Sequence, residues 1–250
     1  MNNFDWKEEE LKLFREAGRR AATILSEMIN KLHTGMSARV LDEYAGELMK
    51  KLDVQSGPRE DGFPGNTCIS IYPIVAHGVP TKRIMRCGDL VNIDVAINYK
   101  GYYADLAYTL PLGEARPAYE RICQAGKKAL RNGISECRAG NDIGAIGKAM
   151  ESAARSDGFT IIKNLCSHGL GKSLHAPPYN IFNYDSDEQE PLELVPGMML
   201  ALEPYVSSGA CRAKETDNDW NLTTHNNSHV VQFEHTVLVT ENGPEILTLL

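Results

Sequence analysis

The chain has 250 residues and a formal charge of −7, with 42% hydrophobic and 24% charged residues. That balance is ordinary for a globular protein long enough to bury a large core. With no basic block or basic patch interleaved with aromatics it argues against nucleic acid as the main partner, since phosphate neutralisation needs clustered Lys and Arg. No apolar run approaches the ~18 residues of a membrane-spanning helix. The acidic start MNNFDWKEEELKLF lacks the apolar stretch of a secretory leader. Six cysteines, Cys68, Cys87, Cys123, Cys137, Cys166 and Cys211, are scattered without a C-x-x-C pair. They read as reduced thiols of a cytoplasmic protein, and their even count is no argument for disulfides.

Helical spacing of Leu11, Phe14, Ala17, Ala21, Ile24, Leu25 and Met28 predicts a first helix from Lys7 to about Leu32, with Glu8–Glu10 suited to its positive end. Ser37 is placed to cap a second helix through Leu52. A Gly- and Pro-punctuated stretch, 56–65, leads to a strand from Cys68 to Ala76, ended by His77-Gly78-Val79-Pro80. Next comes LVNIDVAINYKGYYADLAYTL, residues 90–110, two alternating strands joined at Asn98-Tyr99-Lys100-Gly101. The second half repeats the order. Pro117 opens a helix to about Arg138, Asn141 or Asp142 caps another to Ser156, and FTIIKN is a short strand. Cys166 to Pro178 reads as a loop, MMLALEPYVSS and Val230 to Thr240 as strands, and Lys214–Ser228 as a long surface loop. The two halves share this order of elements at an offset of roughly 110 residues, without residue-level identity.

The polar residues inside apolar strands carry the chemistry. A hairpin centred between Tyr99 and Lys100 sets Asp94 directly across from Asp105 on one face, where like charges destabilise. A shared proton or a bound cation would relieve them. Glu203 shares a strand face with Met199 and Ala201, and Glu234 shares one with Gln232 and Thr236. Each carboxylate would cost several kcal/mol to bury as an unpaired ion. Four of them from three apolar runs, together with a histidine, are what a pair of divalent cations requires. His168 and His175 lie in SHGLGKSLHAPP, where glycines let the backbone approach a ligand closely. His77 ends a strand. His33, His225 and His229 read as surface or loop residues, and His235 points away from Glu234 toward a supporting role.

With these residues in place the chain resembles the type I methionine aminopeptidases, within the wider family of pita-bread metallopeptidases. The resemblance rests on AHGVP around His77, NIDVAINYKGYYADLAYT around Asp94 and Asp105, and HGLGKSLHAPP around His168 and His175. LEPYV around Glu203 and QFEHTVLVTENGPEILT around Glu234 complete it. It implies an α+β, pita-bread fold: one catalytic domain over 1–250, its halves roughly 1–112 and 113–250 related by a pseudo-twofold, with a curved, mainly antiparallel sheet flanked by helices. It implies that Asp94, Asp105 and Glu234 bind one divalent metal and that Asp105 and Glu234 bridge to a second, completed by His168 and Glu203. His77 and His175 would contact substrate, with His77, His175 and Glu203 the catalytic set, and Phe63, Cys68 and Trp220 would line the substrate pocket. The implied reaction is removal of N-terminal methionine from a peptide or nascent chain when the second residue is small. The two metals would be Co, Mn, Fe or Zn, and the enzyme a cytoplasmic monomer with no membrane or direct nucleic-acid partner and with ribosome association open.

The chain departs from that pattern in three places. Ser167 stands where the family usually has Gly, and Leu174 where an aromatic residue is common. In GPREDGFPG, Glu60 and Asp61 bring negative charge near a pocket usually walled by aromatic residues, so the side-chain preference is open.

Overall fold

The computed structural model describes residues 4–249. Helix α1, Glu8–Lys31, buries Phe14, Ala17, Ala21, Ile24, Leu25 and Met28, the stripe its spacing predicts. The Lys7 N–H donates to Glu10 Oε2 at 3.0 Å, holding the first turn. Helix α2, Ala38–Lys51, starts where Ser37 Oγ accepts from the Val40 N–H. After β1 (Gln55–Ser56), the single turn α3 (Gly57–Glu60), β2 (Cys68–Ile71) and β3 (Ile74–Ala76) come β4 (Leu90–Tyr99) and β5 (Tyr102–Pro111). In the second half α4 (Pro117–Ser135) and α5 (Gly144–Ser156) precede β6 (Thr160–Ile161), β7 (Ser167–Gly169) and β8 (Ala176–Ile181). Strands β9 (Met199–Leu202), β10 (Tyr205–Ser207), β11 (Lys214–Glu215), β12 (Leu222–Thr223), β13 (Val230–Gln232), β14 (His235–Thr240) and β15 (Gly243–Ile246) follow. The N-cap of α5 is Ile143, without a side-chain cap, rather than Asn141 or Asp142; Asp142 Oδ1 accepts the Gly144 N–H at 2.8 Å just ahead of it.

The β4–β5 hairpin differs in register from the sequence expectation. Its connection is the two-residue turn Lys100-Gly101, with φ of 55° and 85°, the pair of positive values that a right-twisted hairpin favours. Asn98 Oδ1 braces it by accepting the Gly101 N–H at 2.7 Å. Asp94 therefore pairs with Ala107, and Asp105 with Ala96. The aspartates are diagonal neighbours rather than directly opposed. Moving the turn by one residue shifts register by two, so both stay on the predicted face.

Other elements are more broken than expected. The strand expected over Cys68–Ala76 is two, β2 pairing with β4 and β3 with β12. The loop expected at Cys166–Pro178 contains β7, which lies between β8 and β9 in the five-stranded order β15-β14-β9-β7-β8. The surface loop at Lys214–Ser228 carries β11 and β12. The strands expected at MMLALEPYVSS and Val230–Thr240 both break, the first at Glu203-Pro204 and the second at Phe233-Glu234. β9 pairs with β14 in the five-stranded sheet, while β10 pairs with β13 in a three-stranded one. The pairing Leu202 to His235 on one side and Tyr205 to Gln232 on the other keeps a single register. Glu203 and Glu234 thus face each other across a two-residue gap in the ladder.

Two large buried clusters hold the halves. One joins α1 and α2 to β4 and β5; the other joins α4 and α5 to β9, β13 and β14. The sheets meet along β5. Thr236 Oγ1 accepts the Asp105 N–H and donates to the Asp105 carbonyl, each at 2.8 Å. Two residues along, the Glu234 N–H donates to the Ala107 carbonyl at 3.0 Å. None of the described helices is long and apolar enough to cross a membrane.

Candidate metal centre

Asp94 arrives on β4, Asp105 on β5, His168 on β7, and Glu203 and Glu234 from the gap between sheets. All five line one cavity of about 150 Å3. Asp105, His168, Glu203 and Glu234 are buried, and Asp94 is half-buried. Among the described residues, no Lys or Arg lines it. Four carboxylates without a countercharge are unfavourable as anions, because desolvation acts against the charged form. Burial, ahead of every other cause, raises the Asp94 carboxyl to about 6 and Glu203 to about 8. Burial, and then the neighbouring carboxylates, push Asp105 and Glu234 well above the usual range.

The donor set fits a divalent cation. Asp105, His168 and Glu234 each offer a ligand atom, and these atoms lie within 4.8 Å of one another. Asp105 Oδ1 and Glu234 Oε1 are buried with no hydrogen-bond partner among the described residues, a condition native interiors rarely tolerate without an ion or water. The His168 Nδ1 is 3.0 Å from the Gly169 carbonyl; an N–H there leaves Nε2 as an acceptor, the tautomer a metal takes. Burial holds this imidazole down at about 4, so its Nε2, 3.6 Å from Glu203 Oε1, is neutral and the contact is no ion pair. Carboxylate oxygens with one imidazole suit Mn, Fe, Co or Zn.

The remaining residues expected at the site surround this cluster. His77 has φ of 50° and lines the cavity with His175, whose ring lies 4.4 Å from that of His168. Gly78 after it is obligatory, because a Cβ there would overlap the Ile69 carbonyl and Ser70. Cys68, paired with Asp94, and Phe63 are buried walls, and Trp220 meets Phe63 edge-on at 5.2 Å. Leu174 and Asp61 also line the cavity, with Asp61 Oδ2 3.8 Å from His175 Nδ1. Glu60 is drawn away, bonded to the Tyr103 hydroxyl and to Asn98 Nδ2 at 3.1 Å. His235 is turned aside toward Thr248 Oγ1 at 3.0 Å, as expected. His229 is no free loop residue, being stacked on Tyr72 at 4.4 Å and bonded to the Tyr119 hydroxyl.

Sequence reasoning missed the supports. Gln232 Nε2 donates to Glu203 Oε2 at 2.9 Å and to Asp94 and Glu234 at 3.3 Å, so one amide braces three acids. Its place two residues before Glu234, on the same strand face, was the available signal. Tyr205 two residues after Glu203 carried the same signal. Ser167 and Asn183 hold the Glu203 backbone and are distant in sequence; Asn183 gave no signal, and Ser167 stood out only as a departure from the family pattern.

The profile of metallopeptidase family M24 matches residues 12–241. A methionine aminopeptidase of Staphylococcus epidermidis is 38% identical over 243 residues, 96% of each chain. Methionine aminopeptidase 2 of Bacillus subtilis is 38% identical over 245 residues, 97% of this chain and 98% of that one. The crystal structure of methionine aminopeptidase from Thermotoga maritima superimposes with a TM-score of 0.93 at 32% identity, covering 97% of this chain and 98% of the other. The sheets and helices described above are thus the pita-bread arrangement.

Proposed function

Because this chain belongs to metallopeptidase family M24, we propose that it is a type I methionyl aminopeptidase. It would use two divalent ions to release N-terminal methionine from peptides or nascent chains whose second residue is small. The observation that carries this reading is the convergence of ligand atoms from Asp105, His168 and Glu234 in a cavity without countercharge. Asp94, Asp105 and Glu234 would hold one ion; Asp105 and Glu234, with His168 and Glu203, would hold the second. When bound, the ions supply Lewis acidity, polarising the scissile carbonyl and making a water acidic near neutral pH. Co, Mn, Fe or Zn would serve.

Each protein group then has a task. Glu203 takes the proton from the attacking water and passes it to the departing amine, so the C–N bond breaks as the carbonyl carbon gains its oxygen. His77 and His175, flanking the cavity, donate hydrogen bonds to the carbonyl oxygen as charge develops on it. Phe63, Cys68 and Trp220 wall the methionine side chain. The free α-amino group of the substrate would bind at the ion site, which would confine cleavage to the first residue and account for an exopeptidase. The two halves, roughly 1–112 and 113–250, would act as one catalytic domain of a cytoplasmic monomer.

A second reading, altered preference for the first residue, is favoured by Asp61 and Leu174, which both line the cavity. One experiment separates the two readings. The Mn-loaded protein is assayed on Met-Ala-Ser and on peptides varying the first residue, beside Asp105→Asn. Methionine release from the first peptide, lost in the variant and after chelation, supports the first reading. Faster release of another residue supports the second. Full turnover by Asp105→Asn would sink the dinuclear assignment.

A further inference from the structure

Glu203 sits where the ladder between β9–β10 and β13–β14 is interrupted, and side chains replace the missing backbone partners. Pro204 has no N–H to give, and Glu234 opposite sends its own to Ala107. The Glu203 N–H donates instead to Ser167 Oγ at 2.9 Å, and its carbonyl accepts from Asn183 Nδ2 at 3.2 Å. The Ser167 hydroxyl donates to Asn183 Oδ1 at 2.6 Å, which closes the ring. The carboxylate is fixed as firmly. Its Oε2 accepts from the Tyr205 hydroxyl at 2.6 Å and from Gln232 Nε2 at 2.9 Å. Its Oε1 accepts no hydrogen bond among the described residues, and lies 3.6 Å from His168 Nε2. Ser167 and Tyr205 are both buried; the Tyr205 hydroxyl is committed to Glu203, and that of Ser167 to Glu203 and Asn183.

We propose that Tyr205 and Ser167 are positioning residues that lock Glu203 so that it presents one oxygen, Oε1, to the ion and substrate. The proposal rests on the assignment of Glu203 to the metal centre. A carboxylate with two free oxygens can flip or chelate; with Oε2 held by a phenol and its backbone held by Ser167, it keeps one orientation. Fixing a reactive group to within about half an ångström is what its surroundings contribute to catalysis. Ser167 is thereby more than a departure in a motif, since a glycine there would leave the Glu203 N–H and Asn183 Oδ1 unpaired.

The test compares Tyr205→Phe, Ser167→Ala, Glu203→Ala and the double variant Tyr205→Phe/Glu203→Ala. Three quantities are measured: melting temperature, Mn2+ affinity by calorimetry on the ion-free protein, and kcat and KM on Met-Ala-Ser. Tyr205→Phe removes one oxygen and should fold. It is expected to lose about tenfold or more in Mn2+ affinity or kcat, the size usual for partners of metal ligands, with KM within about twofold. In the double variant the loss should not exceed that of Glu203→Ala alone. Wild-type affinity and kcat in both Tyr205→Phe and Ser167→Ala, beside a crippled Glu203→Ala, would overturn the positioning role. Full additivity in the double variant would overturn it too, since Tyr205 would then act by another route. Intact affinity and kcat in Glu203→Ala would instead remove the assignment on which the proposal stands.

Discussion

Glu203 and Asp94 have carboxyls raised to about 8 and about 6, chiefly by burial, so the ion-free fold holds protons that the unfolded chain releases near pH 4. The folded state therefore binds more protons, and stability falls as pH rises toward the folded values. His168 and His235 work in the opposite sense. Burial holds each at about 4, so their contribution grows with pH and is complete above the unfolded value near 6.5. The window from pH 7 to 8 lies above the unfolded histidines and below the unfolded thiols, so there the buried carboxylates, Glu203 foremost, set the slope. The melting temperature of the ion-free protein should drop across it by on the order of 5 °C. Saturating Mn2+ should flatten that drop, because a bound cation does the work of the protons. Calorimetric scans at four pH values check this, and a melting temperature rising through the window would contradict it.

At the scale of elements, the hairpin and the two broken strands do most to build the site. Strand parity placed Asp94 and Asp105 on one face, and parity survives a two-residue register shift. The turn centre was harder to read because Asn98, Lys100 and Gly101 all suit turns. The twist of the strands favours Lys100-Gly101, which accepts positive φ at both positions. The breaks at Glu203 and Glu234 were hidden, Pro204 apart, since apolar residues flank both gaps and the diverted partners come from β5 and β7. Helix α1 adds a separate constraint. A Cβ at Gly18 would overlap the Leu247 carbonyl oxygen, so the helix lies close on the segment after β15. Gly18→Ala should destabilise the protein by about 1–3 kcal/mol through that overlap, despite alanine's better helix propensity. Urea unfolding checks it, and unchanged or higher stability would refute the close approach.

Across the whole molecule, the candidate ions lie where the two cores meet. Asp94 and Asp105 come from the hairpin in one cluster; Glu203 and Glu234 come from the gaps between strands of the other, and His168 from β7 beside β9. Ion binding should therefore stabilise the fold as a unit. At a hundred times Kd, a ligand specific to the folded state adds about 2.7 kcal/mol, or about 5–10 °C in a chain this long. Chelation should remove that increment, Mn2+ should restore it, and Asp105→Asn should lose most of it. Equal melting temperatures with and without ions would count against a site shared by both halves.

The sequence by itself determined the long helices, the strand faces and the four carboxylates, because burial imposes a local period and a charged residue that breaks it stands out; His168, in a stretch without such a period, rested on the resemblance. Tertiary structure alone decided which acids approach which, the register of the hairpin, and the withdrawal of Glu60 toward Tyr103 and Asn98. It also decided that Ser167, Asn183, Tyr205 and Gln232 secure Glu203. Apart from that of Tyr205, two residues on, these contacts join segments far apart in the chain, and a hydrogen bond across 20 or 36 residues leaves no periodic trace in either segment.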